Sequence, residues 1–344
     1  MNTRTVLRLA MKTTVLLLAA SVAWAADRPL LINGAGATFP YPIYSKWFSE
    51  YAKRDGSVNF NYQSIGSGGG IRQITAQTVD FGASDGPMTD EQLSKAPAPL
   101  MHIPTVLGGV VPIYSVPEVS EPLNFTQAAL AGIFLGHITT WNHPELAKAN
   151  PGVALPHKPI VVVHRSDGSG TTYCWTDFLS SASIEWKAKV GKSTSVNWPV
   201  GLGGKGNEGV AGLVKQTPYA VGYTELGYAT NNQIAYGRVQ NRAGQFVACA
   251  AETIANAAAS TKMPKDFRVS IVNAAGDGAY PVSTFTWLLV YQQQTDAVKG
   301  KALVEFLHWM LKEGQPYAAP LGYAPLPPEV ARMVEQSLDQ IVLS

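Results

Sequence analysis

Apolar positions in this chain switch repeatedly between two periods. Leu30-Leu31-Ile32 is a short β-type run, and beyond the Asn33–Pro42 stretch Ile43, Trp47, Phe48 and Tyr51 recur at the spacing of one helical face. Val58, Phe60 and Tyr62 alternate with polar residues as in a half-buried strand, Gly66–Gly70 turns the chain, and Ile71 to Thr78 reads as helix. The same order returns downstream. Asp80–Asp85 is a short strand ending in polar groups, and Met101–Val106 and Val110–Tyr114 predict two strands around Gly108-Gly109. Thr126–Leu135 predicts a helix with Thr126 as its N-cap. Pro159–Val163 is a buried-type strand that leads through His164–Thr171 into a helix reaching Phe178. The Gly-rich segment Asn197–Gly209 is expected to be a loop before a helix at Val210–Gln216. Thr284–Tyr291 is a late strand, and Ala297–Lys312 and Glu329–Val342 are terminal helices. Strands alternating with helices predict an α/β fold with mostly parallel sheets, and 344 residues suffice for two lobes of ordinary size.

The N-terminal stretch stands apart from this pattern. Residues 1–25 carry Arg4, Arg8 and Lys12, then the apolar run Thr14–Ala20, and end in Ala23-Trp24-Ala25. A basic start, a short apolar run and an A-x-A site predict a cleavable secretory signal peptide, with the mature chain beginning near Ala26. The apolar run is shorter than the roughly 20 residues a membrane span requires. With those three cations removed, the remaining Lys and Arg nearly balance the 24 Asp and Glu. A near-neutral chain offers no electrostatic case for nucleic acid or an anionic membrane. Any anion site must be local. Cys174 and Cys249 are the only two cysteines; a disulfide and two separate buried thiols both remain open, because sequence does not give the separation a bridge requires. Trp47, Phe48 and Tyr51, and equally Trp141, Trp175, Trp186, Trp198 and Trp287, are expected in the core rather than on an exposed stacking platform.

Three Gly-rich turns carry the candidate chemistry: Gly34–Phe39, Ile65–Gly70 and Asp167–Thr171. Each follows a strand and opens a helix. The backbone N–H groups at a helix N-terminus attract anions through hydrogen bonds and the helix dipole. Each turn also supplies a hydroxyl, from Thr38, Ser67, Ser169 or Thr171. Arg165 can fork onto an oxyanion, while its neighbour Asp167 can hold the guanidinium and mute its charge. Asp85 is the odd member. A carboxylate repels an anion unless it accepts a hydrogen bond from a protonated one, and HPO₄²⁻ carries such a proton where sulfate does not. The other reading of Asp85 is a helix N-cap or turn residue before Gly86-Pro87, and composition leaves both open.

The stretches Gly34–Pro40, Tyr62–Gly70 and Asp80–Asp85, together with Arg165–Thr171 and the late Gly322–Leu326, closely resemble the phosphate-binding proteins of Pst-type ABC transporters along essentially the whole mature chain. The resemblance implies a type II periplasmic binding fold: two lobes, a two-segment hinge, a ligand cleft between the lobes, and no chemistry on the ligand. It implies lobe one at 26–105 plus 281–344 and lobe two at 106–280. It also implies that Thr38, Phe39 (through its backbone N–H), Ser67 and Asp85 bind phosphate from the first lobe, and Arg165, Ser169, Gly170 and Thr171 from the second, with Asp167 orienting Arg165. No metal and no cofactor is implied. The implied partners are inorganic phosphate and the membrane permease and ATPase subunits of an importer, with the protein a monomer in the periplasm. Gly68, where the family often has a second Ser, and the two cysteines depart from the pattern.

Other functions find less support. The chain has no G-x-S-x-G elbow, and Gly204-Lys205 is followed by Gly206 rather than the Ser or Thr of a P-loop. The histidines 102, 137, 143, 157, 164 and 308 show no H-E-x-x-H spacing. His164 beside Arg165 is the residue a phosphatase reading would use; lacking a metal set or a nucleophile–base pair, it reads as the end of a strand. A binder of another oxyanion, such as sulfate, molybdate or tungstate, is the second alternative, and Asp85 is the residue that discriminates it. An interaction-only role, for instance as an adhesin or matrix protein, is a further alternative that the sequence leaves open as a secondary activity.

Overall fold

The computed structural model describes residues 29–344; the signal-peptide segment 1–25 lies outside the described residues. Nine strands form one continuous sheet: β1 (Leu30–Gly36), β2 (Val58–Ser64), β3 (Phe81–Ser84), β4 (Leu100–Tyr114), β5 (Val161–Arg165), β6 (Leu202–Gly204), β7 (Ala220–Glu225), β8 (Ala235–Tyr236) and β9 (Ser283–Tyr291). Their order is β2-β1-β3-β9-β4-β7-β5-β6, with β8 also paired to β4. β1 runs parallel to β2 and β3, and β5 runs parallel to β6 and β7. Only the middle is antiparallel, where β9 pairs with β3 and β4, and β4 with β7. The chain is therefore α/β, as its alternating periods predict.

The long strand β4 joins the two halves of the sheet. Its first part, Leu100–Gly109, pairs with β9, and its second part, Val110–Tyr114, pairs with β7. The two runs predicted on either side of Gly108-Gly109 are thus one strand. These glycines serve close packing rather than a turn: a Cβ on Gly108 would lie 2.5 Å from the Phe39 ring, and one on Gly109 would lie 2.2 Å from Cys249 Sγ. Thirteen consecutive positions of β4 from His102 to Tyr114, and all nine of β9, are buried. Strands covered on both faces read as continuous rather than alternating patterns.

Helix α1 (Tyr41–Arg54) buries Ile43, Tyr44, Trp47, Phe48 and Tyr51, one apolar stripe at helical spacing, with Pro in its first turn and Lys53 and Arg54 in its last. Its aromatic face packs on β2 and a C-terminal helix, with Phe60 stacked on Phe48 at 4.8 Å and meeting Phe306 at 4.5 Å. Each such ring contributes roughly 1.5–3 kcal/mol of burial. Trp47, Trp141, Trp175, Trp186 and Trp287 are likewise buried, and Trp198 half-buried.

Four further helices position the site: α2 (Ser67–Thr75), α3 (Gly170–Ala182), α4 (Gly206–Gln216) and α5 (Leu226–Asn231). The expected loop over Asn197–Gly209 is corrected here. It contains β6, and α4 starts at Gly206, four residues earlier than the apolar periodicity suggests, because the Gly206-Asn207-Glu208-Gly209 turn has no apolar residue to mark it. β1 also continues to Gly36, which leaves Ala37–Pro40 as the connection into α1. Cys174 and Cys249 are two free, buried thiols, which closes the choice left by the sequence. No helix among the described residues is long and apolar enough to cross a membrane.

Candidate functional site

The site forms where strand–helix junctions from both halves of the sheet meet. β1 ends into Thr38 and Phe39 before α1. β2 ends at Ser64, and Ser67 is the first residue of α2. Asp85 follows β3 directly, Arg165 ends β5, and Ser169-Gly170-Thr171 opens α3. Carboxyl ends of strands facing helix N-termini are where open α/β sheets bind ligands. All the predicted residues converge here, and almost all are buried: Thr38, Phe39, Ser67, Asp85, Arg165, Ser169 and Thr171 are each no more than 3% exposed.

Two hydrogen-bonded chains knit the residues together. In the first, Gly170 N donates to Ser67 Oγ at 3.0 Å, and Asp85 N donates to the same oxygen at 3.2 Å. With two N–H groups received, the Ser67 hydroxyl retains only its proton to give, and Asp85 Oδ2 lies 3.5 Å away. Gly170 is required at this crossing, since a Cβ there would lie 2.6 Å from Asp85 Cβ. In the second chain, Arg165 lays a fork on Asp167, Nε to Oδ1 at 2.8 Å and Nη2 to Oδ2 at 2.6 Å, while Nη1 donates to Thr171 Oγ1 at 3.3 Å. Gly206 N, at the start of α4, donates to Asp167 Oδ1 at 3.0 Å. Ser169 Oγ accepts from Thr172 N at 3.0 Å and so caps α3. Phe39 is placed by its ring and its carbonyl: the ring packs edge-on to Tyr323 at 6.1 Å, and the carbonyl accepts from Tyr323 Oη at 2.7 Å.

Four residues of the site escaped the sequence reading. Thr286 Oγ1 donates to Asp85 Oδ1 at 2.8 Å, and Thr284, two residues away on the same face of β9, donates to the Asp85 carbonyl at 3.2 Å. Hydroxyls on a strand as apolar as Thr284–Tyr291 were the available signal, because a buried hydroxyl must find a partner. Asn207 donates to Thr38 Oγ1 at 2.8 Å and to Thr171 Oγ1 at 3.1 Å. Glu225 ends β7, is fully buried, and accepts from Gly227 N at 2.8 Å through Oε1, while Oε2 has no hydrogen-bond partner.

The electrostatics divide the carboxyls. Burial raises Asp85 to about 7, against the opposing pull of the Thr286 hydrogen bond, the Arg165 charge and Ser67. Burial likewise raises Glu225 to about 8. Burial also pushes Asp167 upward, but the Arg165 hydrogen bonds and charge outweigh it and hold this carboxyl below its ordinary value. Asp167 therefore stays ionised beside the guanidinium, whereas Asp85 and Glu225 keep their protons to higher pH than an exposed carboxyl would. A carboxyl raised on folding stabilises fully below its unfolded pKa and loses that contribution as pH climbs through its folded value. Ligand-free protein is accordingly expected to melt at progressively lower temperature as pH rises from about 4 to about 8. Glu225→Gln should flatten the upper part of that decline. Scanning calorimetry of the pair across this range checks it, and parallel curves would count against it.

His164 lies apart from this chemistry. Neighbouring strand residues point to opposite faces, so it faces away from the Arg165 guanidinium. Its ring stacks on Trp198 at 4.7 Å, and Nδ1 sits 3.0 Å from the Arg165 carbonyl oxygen. Burial lowers its pKa, with backbone hydrogen bonds opposing. Among the described residues no histidine hydrogen-bonds a hydroxyl of the site, and no group of three or more His, Cys, Asp or Glu is arranged to hold a metal.

A family model described as a PBP superfamily domain matches residues 23–313. The Phosphate-binding protein PstS of Pasteurella multocida is 48% identical over 307 residues, covering 88% of each chain. That of Xylella fastidiosa strain Temecula1 is 47% identical over 308 residues, 88% of this chain and 84% of the relative. Among solved structures, a high affinity periplasmic phosphate-binding protein bound with phosphate superposes with a TM-score of 0.72 over 90% of this chain and 94% of its own. At 23% identity that likeness is one of fold, the type II periplasmic binding fold.

Proposed function

The chain belongs to the PstS family of phosphate-binding proteins within the PBP superfamily, and from that premise we propose that it captures inorganic phosphate between two lobes and hands it to an ABC-type importer. One observation carries the ligand assignment: a forked Arg165 and the buried hydroxyls of Thr38, Ser67, Ser169 and Thr171 gather at the same strand–helix junctions as one buried carboxyl, Asp85. The donors suit an oxyanion, and the carboxylate suits one that still carries a proton. Thr38, the Phe39 backbone N–H, Ser67 and Asp85 bind from lobe one. Arg165, Ser169, Gly170 and Thr171 bind from lobe two, and Asp167 orients Arg165.

The lobes are 26–105 plus 281–344, and 106–280. Support for that division comes from β4, which passes from β9 to β7 at Gly109–Val110, and from the chain's return into β9 at Ser283. Two crossings in this one region make a two-segment hinge. Closure brings the start of α2 against the turn that precedes α3, with Gly68 N donating to the Gly168 carbonyl at 2.8 Å. A ligand that bridges both lobes stabilises the closed form by its differential affinity for it. The closed monomer then docks on a membrane permease that works with a separate ATPase. Residues 1–25 direct secretion to the periplasm before they are removed. The role is binding without chemistry on the ligand, consistent with the orientation of His164.

The test is calorimetric titration of mature protein at neutral pH with phosphate, arsenate and sulfate. Phosphate is expected to bind saturably and arsenate to compete, because it shares the shape and the proton, while sulfate binds at least about a hundredfold more weakly. Equal affinity for sulfate would overturn the assignment in favour of a general oxyanion binder.

A further inference from the structure

We propose that Asn207 is the positioning residue of the anion site: its amide ties the two halves of the sheet together and compels the Thr38 and Thr171 hydroxyls to act as donors. The proposal rests on the phosphate reading above and assigns a role to a residue that does not itself touch the ligand.

The amide orientation follows from its neighbours. Glu225 N lies 3.2 Å from one terminal atom of Asn207, and a backbone N–H only donates, so that atom is the oxygen Oδ1. Thr224 Oγ1 donates to the same oxygen at 3.0 Å. The other terminal atom is therefore Nδ2, and its two hydrogens go to Thr38 Oγ1 at 2.8 Å and Thr171 Oγ1 at 3.1 Å. Asn207 is fully buried and every hydrogen-bonding position of its amide is used.

The consequence falls on the two threonines. Thr38 Oγ1 receives Asn207 N at 3.2 Å as well as Nδ2, and Thr171 Oγ1 receives Arg165 Nη1 at 3.3 Å as well as Nδ2. A hydroxyl has two lone pairs and one proton. With both lone pairs engaged, each threonine has only its proton to offer, and that proton must point away from Asn207 and Arg165. A free hydroxyl rotor would be ordered only on binding, at an entropic cost, and could present a lone pair to the anion instead. These two are aimed beforehand, which is how preorganised donors gain affinity. Because Thr38 precedes α1 and Thr171 lies in α3, the aim is complete only when both halves of the sheet are in register around Asn207. The amide thereby couples closure to the readiness of the donors.

The experiment is a mutant cycle on phosphate affinity, read by calorimetry. Asn207→Ala is expected to weaken phosphate binding by about tenfold to a hundredfold, the effect of losing the ordering of two hydrogen bonds to a charged ligand. In a background that carries Thr38→Val and Thr171→Val, the same change should cost less than about twofold, because the hydroxyls it acts through are gone. A residue that merely holds the fold would cost the same in both backgrounds, and that result would overturn the proposal. Asn207→Asp keeps the acceptor for Thr224 and Glu225 but replaces the donor, so it serves if the alanine variant does not fold. It should weaken phosphate more than tenfold, since both threonines would turn their protons to the new oxygen; affinity equal to wild type would also overturn the proposal. Failure of the wild-type protein to bind phosphate would defeat the ligand assignment and this proposal together, whereas equal costs in the two backgrounds defeat this proposal alone.

Discussion

Asp85→Asn is expected to reduce the preference for phosphate over sulfate by more than about tenfold at pH 8, with most of the change in sulfate. The carboxyl is almost fully buried and has one oxygen, Oδ1, engaged by Thr286. Above its raised pKa of about 7, set mainly by burial, it is ionised and can accept a hydrogen bond from the hydroxyl of HPO₄²⁻. Sulfate has no proton to give. It can bind only against an unpaired carboxylate or after Asp85 takes a proton from solvent and becomes a donor. That proton costs about tenfold per pH unit above pH 7, so sulfate affinity of the wild-type protein should fall with a slope near one as pH rises. An asparagine is neutral throughout and presents its own N–H groups, so its sulfate curve should be flat. Titrations with both anions at several pH values between about 6 and 9 provide the check. Identical slopes for the two proteins would remove Asp85 from the selectivity argument.

Arg165→Met should weaken phosphate by about a thousandfold or more, the larger of the two losses. The Arg165 side chain is 1% exposed, so its charge acts with little screening by water. The substitution removes the cation, its hydrogen bond to Thr171 and the partner of Asp167 in a single step. The ionised Asp167 is then left partly buried near a dianion, and an unpaired buried charge is the most costly outcome of breaking such a pair. Arg165→Lys should recover only part of the loss, since an ammonium restores charge but not the planar fork. A loss below tenfold for the methionine variant would show that the backbone N–H groups and hydroxyls dominate binding instead.

Much of this site was legible before folding was considered. The turns at Gly34–Phe39, Ile65–Gly70 and Asp167–Thr171 announce themselves because an anion cradle is local: a strand end, small residues and a hydroxyl within a few positions. The Arg165–Asp167 fork joins residues two apart and is legible for the same reason. Thr286 and Asn207 were not. Thr286 meets Asp85 across 201 positions, and Asn207 meets Thr38 across 169. Neither belongs to a local pattern, and Asn207 sits in a Gly-rich stretch that resembles a loop until β6 and α4 are placed around it.

The sequence alone determined the class of fold, the chemistry of the cradle turns and most of the residues that the fold brings together at them. Those are properties of short segments, governed by periodicity, backbone geometry and side-chain type. Tertiary structure decided which oxygen donates and which accepts. It placed Glu225 out of water and raised it, held Asp167 ionised beside Arg165, and passed a single β4 through both halves of the sheet where the sequence suggested two strands. The physical reason is that protonation and hydroxyl direction depend on burial and on partners brought from distant parts of the chain, quantities that exist only once the chain has packed.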